Sequence, residues 1–251
     1  MPKELLERAG DWADRFLAEF GNYTAEETFD QTRWEGKRRS EVKRRIVSDY
    51  FIVRLPGSPR ELQEFRDVVS VDDKEKLSDS ARAVKWPKLM AATTAGEFEA
   101  LVEDPQKYRM SPEHFGKLGL LVSRLAPRYQ GKMKYFFAQD NSEVVSRTAL
   151  VGYRQVSGEG LMEVDGKPVA PSGQAWVEPD DGHIVRIEEE FQHDKTHYSV
   201  AVDYAMADGL NAWVVETVTI RIFEKGRLVM QNIYGYSNFR RFAPAGGTPA
   251  P

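Results

Sequence analysis

Two stretches decide the fold of this chain: Ala212-Trp-Val-Val-Glu-Thr-Val-Thr-Ile-Arg-Ile-Phe223 and, after a Lys225-Gly226 turn, Leu228-Val-Met-Gln-Asn-Ile-Tyr-Gly-Tyr-Ser-Asn-Phe239. Apolar and polar residues alternate in both. A period of two sends successive side chains to opposite faces of a strand, so each stretch reads as a strand with one buried face. Lys-Gly supplies the backbone angles of a tight connection, which makes the two an antiparallel hairpin. Toward the N terminus the pattern repeats at 198–204, 183–191, 174–178, 144–153 and 133–138, with turn residues such as Pro179-Asp-Asp-Gly182, Asp140-Asn141 and Asp208-Gly209 between runs. Together these runs describe a long antiparallel meander.

The first half differs. Leu5, Ala9, Trp12, Ala13, Phe16 and Phe20 recur at three- and four-residue steps, the apolar stripe of an amphipathic helix that Gly21-Asn22 ends. Strands follow at 23–34 and 40–55 around Gly36, then at 62–71, with a polar turn at 72–75. Residues 81–90, 95–103 and 112–125 show helical spacing broken by Pro87, Gly96, Pro105, Pro112 and Pro127. The expected architecture is α+β, a curved antiparallel sheet forming an unclosed barrel wrapped around the N-terminal helix and a short-helix insertion at about 81–125. One domain is expected over 1–242, followed by a disordered Pro, Gly and Ala tail at 243–251.

Composition narrows the function. A chain of 251 residues can bury a large core unaided, and a formal net charge of −4 argues against nucleic-acid binding by bulk electrostatics. Cysteine is absent, which excludes disulfides, thiolate nucleophiles and cysteine-ligated metals. No cofactor motif is present. The N terminus carries no apolar run of signal-peptide length, and no stretch of about 18 apolar residues occurs. The expectation is a soluble chain, cytoplasmic as the sequence stands and periplasmic or exported if a signal peptide has been removed.

Several blocks carry a family resemblance: the leading aromatic helix, Arg44-Arg-Ile-Val-Ser-Asp-Tyr-Phe-Ile-Val-Arg-Leu-Pro-Gly57, Phe65-Arg-Asp-Val-Val69 and Tyr236-Ser-Asn-Phe-Arg-Arg-Phe242. The chain resembles, over nearly its whole length, an uncharacterised family of exported bacterial proteins whose fold is similar to the outer-membrane lipoprotein carriers. The resemblance implies an unclosed barrel plugged by helices and a place in the cell envelope. It brings no catalytic residues.

Candidate site residues come from breaks in the alternation. Glu216 interrupts the apolar face of 212–222, Glu189 sits among Val185, Ile187 and Phe191, and Arg147 stands among Val145, Ala149 and Val151. A buried carboxylate must be paired or protonated, so these residues are either a polar centre in an apolar cavity or a structural ion pair, unless a bulge returns the acids to solvent. Trp213, Trp86 and Phe115 are aromatic candidates for lining such a cavity. Arg38, Arg39, Arg44 and Arg45 form a basic hairpin suited to anionic lipid head groups, or else balanced by acids elsewhere, with 178–194 as the acid-rich counterpart. His193 and His197 have metal-ligand spacing on a helix, but their segment reads as a hairpin turn and lacks a third ligand, so no metal site is expected.

The leading expectation is a non-enzymatic envelope protein that holds a lipid or other apolar ligand between concave sheet and helices, with possible peripheral membrane contact. The alternatives are a solid-cored protein that binds another envelope protein and, behind both, an enzyme using Glu189 and Glu216.

Overall fold

The structure is a computed structural model that describes residues 2–36, 39–55, 62–110, 118–138, 148–164, 166–207 and 209–242. In chain order the elements are helix α1 (Pro2–Glu19), strands β1 (Tyr23–Glu35), β2 (Ser40–Arg54), β3 (Leu62–Val71) and β4 (Lys74–Glu75), then helices α2 (Asp79–Ala91) and α3 (Ala95–Leu101). Two 3-10 turns, Pro105–Tyr108 and Leu118–Arg124, and helix α4 (Pro127–Gln130) come next. Strands β5 (Met133–Ala138), β6 (Ala149–Gln155), β7 (Met162–Val164), β8 (Lys167–Val169), β9 (Ser172–Val177) and β10 (Ile184–His193) follow. The chain closes with β11 (Thr196–Ala207), β12 (Ala212–Glu224) and β13 (Arg227–Arg241). Strand order is β4-β3-β2-β1-β13-β12-β11-β10-β9-β6-β5 in an eleven-stranded sheet, with β7 and β8 as a separate hairpin. The fold is mostly antiparallel sheet with a few helices, and the sheet is not closed, as the alternating runs predict. Among the described residues no helix is long and apolar enough to cross a membrane.

The departures from expectation have local causes. Asp72 and Asp73 both adopt positive φ, 48° and 61°, the geometry of a primed two-residue hairpin turn, so Lys74 and Glu75 return as a short strand where a plain turn was expected. Strands β7 and β8 have three residues each, too few to show a period. In the expected helix at 112–125, Leu118–Arg124 is a 3-10 turn, and 111–117 lie outside the described residues. The expected tail at 243–251 also lies outside them.

The chain divides into two compact units. The first comprises Met1–Ala18, Glu113–Met206 and Trp213–Gln231. In it the apolar stripe of α1 meets the sheet through aromatic edges: Trp12 lies edge-on to Tyr204 (6.3 Å between ring centroids) and to Trp213 (5.7 Å), and Phe16 lies edge-on to Tyr204 (5.5 Å). Gly182, at φ 79°, lets α1 approach the β9–β10 turn, because a Cβ there would fall 2.5 Å from the Arg8 carbonyl carbon.

The second unit comprises Glu19–Pro112, Ala207–Ala212 and Asn232–Pro251. Strands β1 and β2 pair without interruption from Tyr23↔Ile52 to Glu35↔Ser40. One face of this unit carries Phe51, Val53, Phe65 and Phe242 in a buried cluster with Leu89 of α2 and Phe98 of α3. Another cluster joins Tyr50 to Tyr236 (5.0 Å between rings) and stacks Phe29 on Tyr234 (4.1 Å). Glu27, buried, accepts from Arg66 Nε (2.9 Å), and the Arg66 guanidinium lies 4.8 Å from the Tyr50 ring. Burial alone would lower the Arg66 pKa, but the charges of Glu27 and Glu64 hold it well above the ordinary value.

Burial first, and neighbouring carboxylates second, also raise the phenol pKa values of Tyr50 and Tyr153 well above 10.0. Tyr236 and Tyr204 are raised for the same reasons. A group with a raised folded pKa contributes stability that is complete below its unfolded pKa and is lost as pH rises through the folded one. Tyr50, Tyr153, Tyr204 and Tyr236 should therefore stay protonated in the native protein beyond the ordinary tyrosine range. Their ionisation should appear in one late alkaline step that coincides with loss of the near-ultraviolet circular dichroism. A single smooth titration of all tyrosines within the ordinary range, with structure intact, would contradict the assignment of these phenols to the core.

Candidate functional site

Strand registers explain how Glu189 comes to be buried. Tyr135 of β5 is opposite Tyr153 of β6, Tyr153 is opposite Gly173 of β9, and Glu189 of β10 is opposite Gly173 on one side and Val200 of β11 on the other. Cross-strand partners share a face, so these residues form one inward row. Gly173 leaves the gap across which two side chains meet: Tyr153 Oη donates to Glu189 Oε1 at 2.8 Å. A Cβ at Gly173 would lie 3.0 Å from both Tyr153 Oη and Glu189 Cγ, and would collide with the Glu188 carbonyl oxygen.

The cation that meets Glu189 is Arg124, at the end of the 3-10 turn Leu118–Arg124. Its Nε donates to Glu189 Oε1 at 2.8 Å and its Nη2 to Oε2 at 3.5 Å, while Tyr135 Oη donates to the Arg124 carbonyl at 2.6 Å. Glu189 is 0 % exposed. Burial would lower the Arg124 pKa, yet the Glu189 carboxylate keeps it raised, and that same carboxylate adds to burial in raising the Tyr153 phenol. Both carboxylate oxygens are thus committed and sealed from solvent, an arrangement suited to locking a core and not to moving protons.

The other sequence candidates do not join this cluster. Glu216 is exposed, although Ala212, Val214, Val218, Ile220 and Ile222, which share its parity along the strand, are buried. Trp213 is half-buried between Trp12 and the His183 ring, 4.6 Å away, and serves packing. Arg147 and Phe115 lie outside the described residues. Sequence reasoning missed Arg124 as the partner of Glu189. The available signal was an arginine inside the run Leu120-Leu-Val-Ser-Arg-Leu-Ala126.

Trp86 lies in the second unit, on α2, with its ring 5.8 Å from Phe51 and 5.7 Å from Phe242, and it remains 37 % exposed. Of the residues of α2 only Leu89 is buried. Ion pairs hold the helix instead: Arg82 to Asp49 at 2.5 and 2.9 Å, and Lys85 to Asp67 at 2.7 and 2.9 Å. Pro87 inside α2 removes one helical hydrogen bond. Beside Lys85 opens a groove of about 540 Å³ lined by Leu101, Val102, Glu103, Asp104, Gln106 and Lys107. By contrast α3 is locked, with Phe98 buried and a reciprocal Thr94–Glu97 capping box.

The basic hairpin is balanced locally. Arg45 meets Asp30 at 2.7 Å, Arg44 meets Asp72 at 2.9 Å and Lys43 meets Glu41 at 3.1 Å, so its acids come from β1, β2 and the β3–β4 turn and not from 178–194. Arg39 lies 5.8 Å from the Trp34 ring, and Arg38 is outside the described residues. His193 is opposite Thr196 while His197 is opposite Gln192, so the two imidazoles belong to opposite faces of the hairpin and cannot share a metal. Among the described residues no group of acids and histidines converges as a metal site.

No family model matches the sequence, and no curated protein does. The solved structures similar to the chain include two bacterial ones. One is an outer membrane lipoprotein-sorting protein domain from Vibrio parahaemolyticus, 10 % identical, covering 95 % of this chain and 92 % of that one with a TM-score of 0.38. The other is a LolA superfamily protein from Nitrosomonas europaea, 11 % identical, covering 98 % of this chain and 97 % of that one with a TM-score of 0.37.

Because Arg124 and Glu189 neutralise each other in a dry core, Glu189→Gln should cost about 3–5 kcal/mol by leaving the guanidinium uncompensated. For a chain of this size that lowers Tm by roughly 10 °C. The double variant R124M/E189M should recover most of the loss, because it removes both charges together. A double variant no more stable than E189Q would show that the pair does more than compensate charge.

Proposed function

We propose that this chain is a non-enzymatic binding protein of the bacterial cell envelope that holds an apolar ligand, a lipid or an acyl chain, between the sheet and helix α2. The observation that carries this reading is the mismatch beneath α2. An apolar floor of Phe51, Val53, Phe65 and Phe242 lies under a helix that buries Leu89 alone and is fastened by the pairs Arg82–Asp49 and Lys85–Asp67. A segment with few buried apolar contacts opens at low free energy, and an opened α2 exposes an aromatic surface suited to an acyl chain. The half-exposed Trp86 then forms the inner side of the lid. The enzyme alternative loses its basis, since Glu189 is sealed against Arg124 and Tyr153 while Glu216 is exposed.

Native mass spectrometry of the gently purified protein should show a retained lipid mass, and a fluorescent fatty-acid analogue should enter the emptied protein. Arg82→Met should accelerate uptake several-fold by releasing the first turn of α2, whereas Trp86→Ala should weaken retention. Absence of any lipid mass together with unchanged probe uptake in R82M would sink the proposal.

A further inference from the structure

We infer that the outer edge of the sheet at β5 is a docking surface for anionic lipid bilayers, independent of any ligand held under α2. Phe136 is 53 % exposed and Val156, one residue past β6, is 54 % exposed, at the terminal strand pair of the sheet, while Phe137, 40 % exposed, lies on the opposite face. Single exposed apolar residues need no explanation, but a cluster on one sheet edge does. The register places them with cations. Val156 N donates to the Lys132 carbonyl at 2.9 Å, Lys134 is opposite Arg154, and Phe136 is opposite Gly152, so Lys132, Lys134, Phe136, Arg154 and Val156 share one face. Gly152 is required for this surface, since a Cβ there would collide with the Phe136 ring that crosses it.

Charge identifies the occupant. Residues 127–138 and 148–158 contain Arg128, Lys132, Lys134 and Arg154 and neither aspartate nor glutamate, in a chain whose net charge is −4. Cations of the basic hairpin are met by carboxylates, whereas these four make no ion pair among the described residues; Arg128 and Lys132 instead flank the Tyr129 ring at 5.0 and 5.7 Å. Exposed apolar side chains beside cations that make no ion pair among the described residues match the interface of a bilayer with acidic head groups, where a ring enters the boundary layer and each cation near the surface adds attraction.

Vesicle flotation tests this surface. The full chain should float with phosphatidylcholine vesicles containing about one-third phosphatidylglycerol, remain unbound with phosphatidylcholine alone, and be released by added salt as the head-group charge is screened. Lys134→Glu with Arg154→Glu should lower vesicle affinity at least about tenfold, and Phe136→Ser with Val156→Ser should also lower it. Lys225→Glu, in the exposed β12–β13 turn, should leave it nearly unchanged. Equal binding to neutral vesicles, no binding to acidic ones, or an equal loss in K225E would overturn the inference. A concentration-dependent dimer abolished by K134E/R154E would overturn it too, assigning the edge to a second copy of the chain.

Discussion

A carboxylate that faces the interior of a sheet must be met by a cation, and in this protein three of those cations come from helical segments outside the sheet. Asp49 of β2 and Asp67 of β3 meet Arg82 and Lys85 of α2, and Glu189 of β10 meets Arg124 of the 3-10 turn before α4. Uncompensated charge in a core costs several kcal/mol, so each acid admits only a placement of its helical segment that delivers the cation. The helical stretch between β4 and β5 is positioned by charge as much as by apolar burial. Glu27 shows the rule within the sheet itself, taking its cation from Arg66 of β3.

How much of this was legible depended on the range of the signal. Period-two alternation is local, and it placed the long strands. It also flagged Glu189 as an inward acid, since Ile187 and Phe191 share its face. The partner was hidden because Arg124 and Glu189 are 65 residues apart, and one sequence does not show which of its cations crosses that distance. Glu216 carried the same alternation signal and is exposed, although Val214 and Val218 on either side of it are buried, so alternation alone did not separate the two acids. The basic hairpin held a further signal of short range. Pairing around Gly36 puts Asp30 opposite Arg45, so the neutralising acid was set by register and not by a distant acidic run.

Fully buried and half-exposed ion pairs have different consequences. The Arg124–Glu189 pair, with Tyr153 as a third member and Gly173 leaving the space, fixes the 3-10 turn and the strand in one arrangement and leaves no free lone pair facing an open cavity. Such a cluster specifies a core; general acid–base catalysis requires a proton within reach of a substrate, which a sealed carboxylate does not offer. Binding, in contrast, needs a cover that moves and a surface worth covering, the two roles proposed for α2 and the aromatic floor beneath it.

The two anchors of α2 are unequal, which gives its opening a direction. Asp67 is buried and also accepts from the Glu103 amide at 2.8 Å, so breaking Lys85–Asp67 strands a carboxylate in the core. Arg82 and Asp49 retain more contact with solvent, 35 % and 14 % exposed, so separating them costs less than separating Lys85 from Asp67. Leu89 holds the last turns of the helix to the floor. In the proposed opening the first turn, from Asp79 to Arg82, is therefore the part that would lift, with Lys85–Asp67 and Leu89 as the pivot. An opening of this kind uncovers the aromatic floor from the Trp86 side while the core contacts of the helix persist.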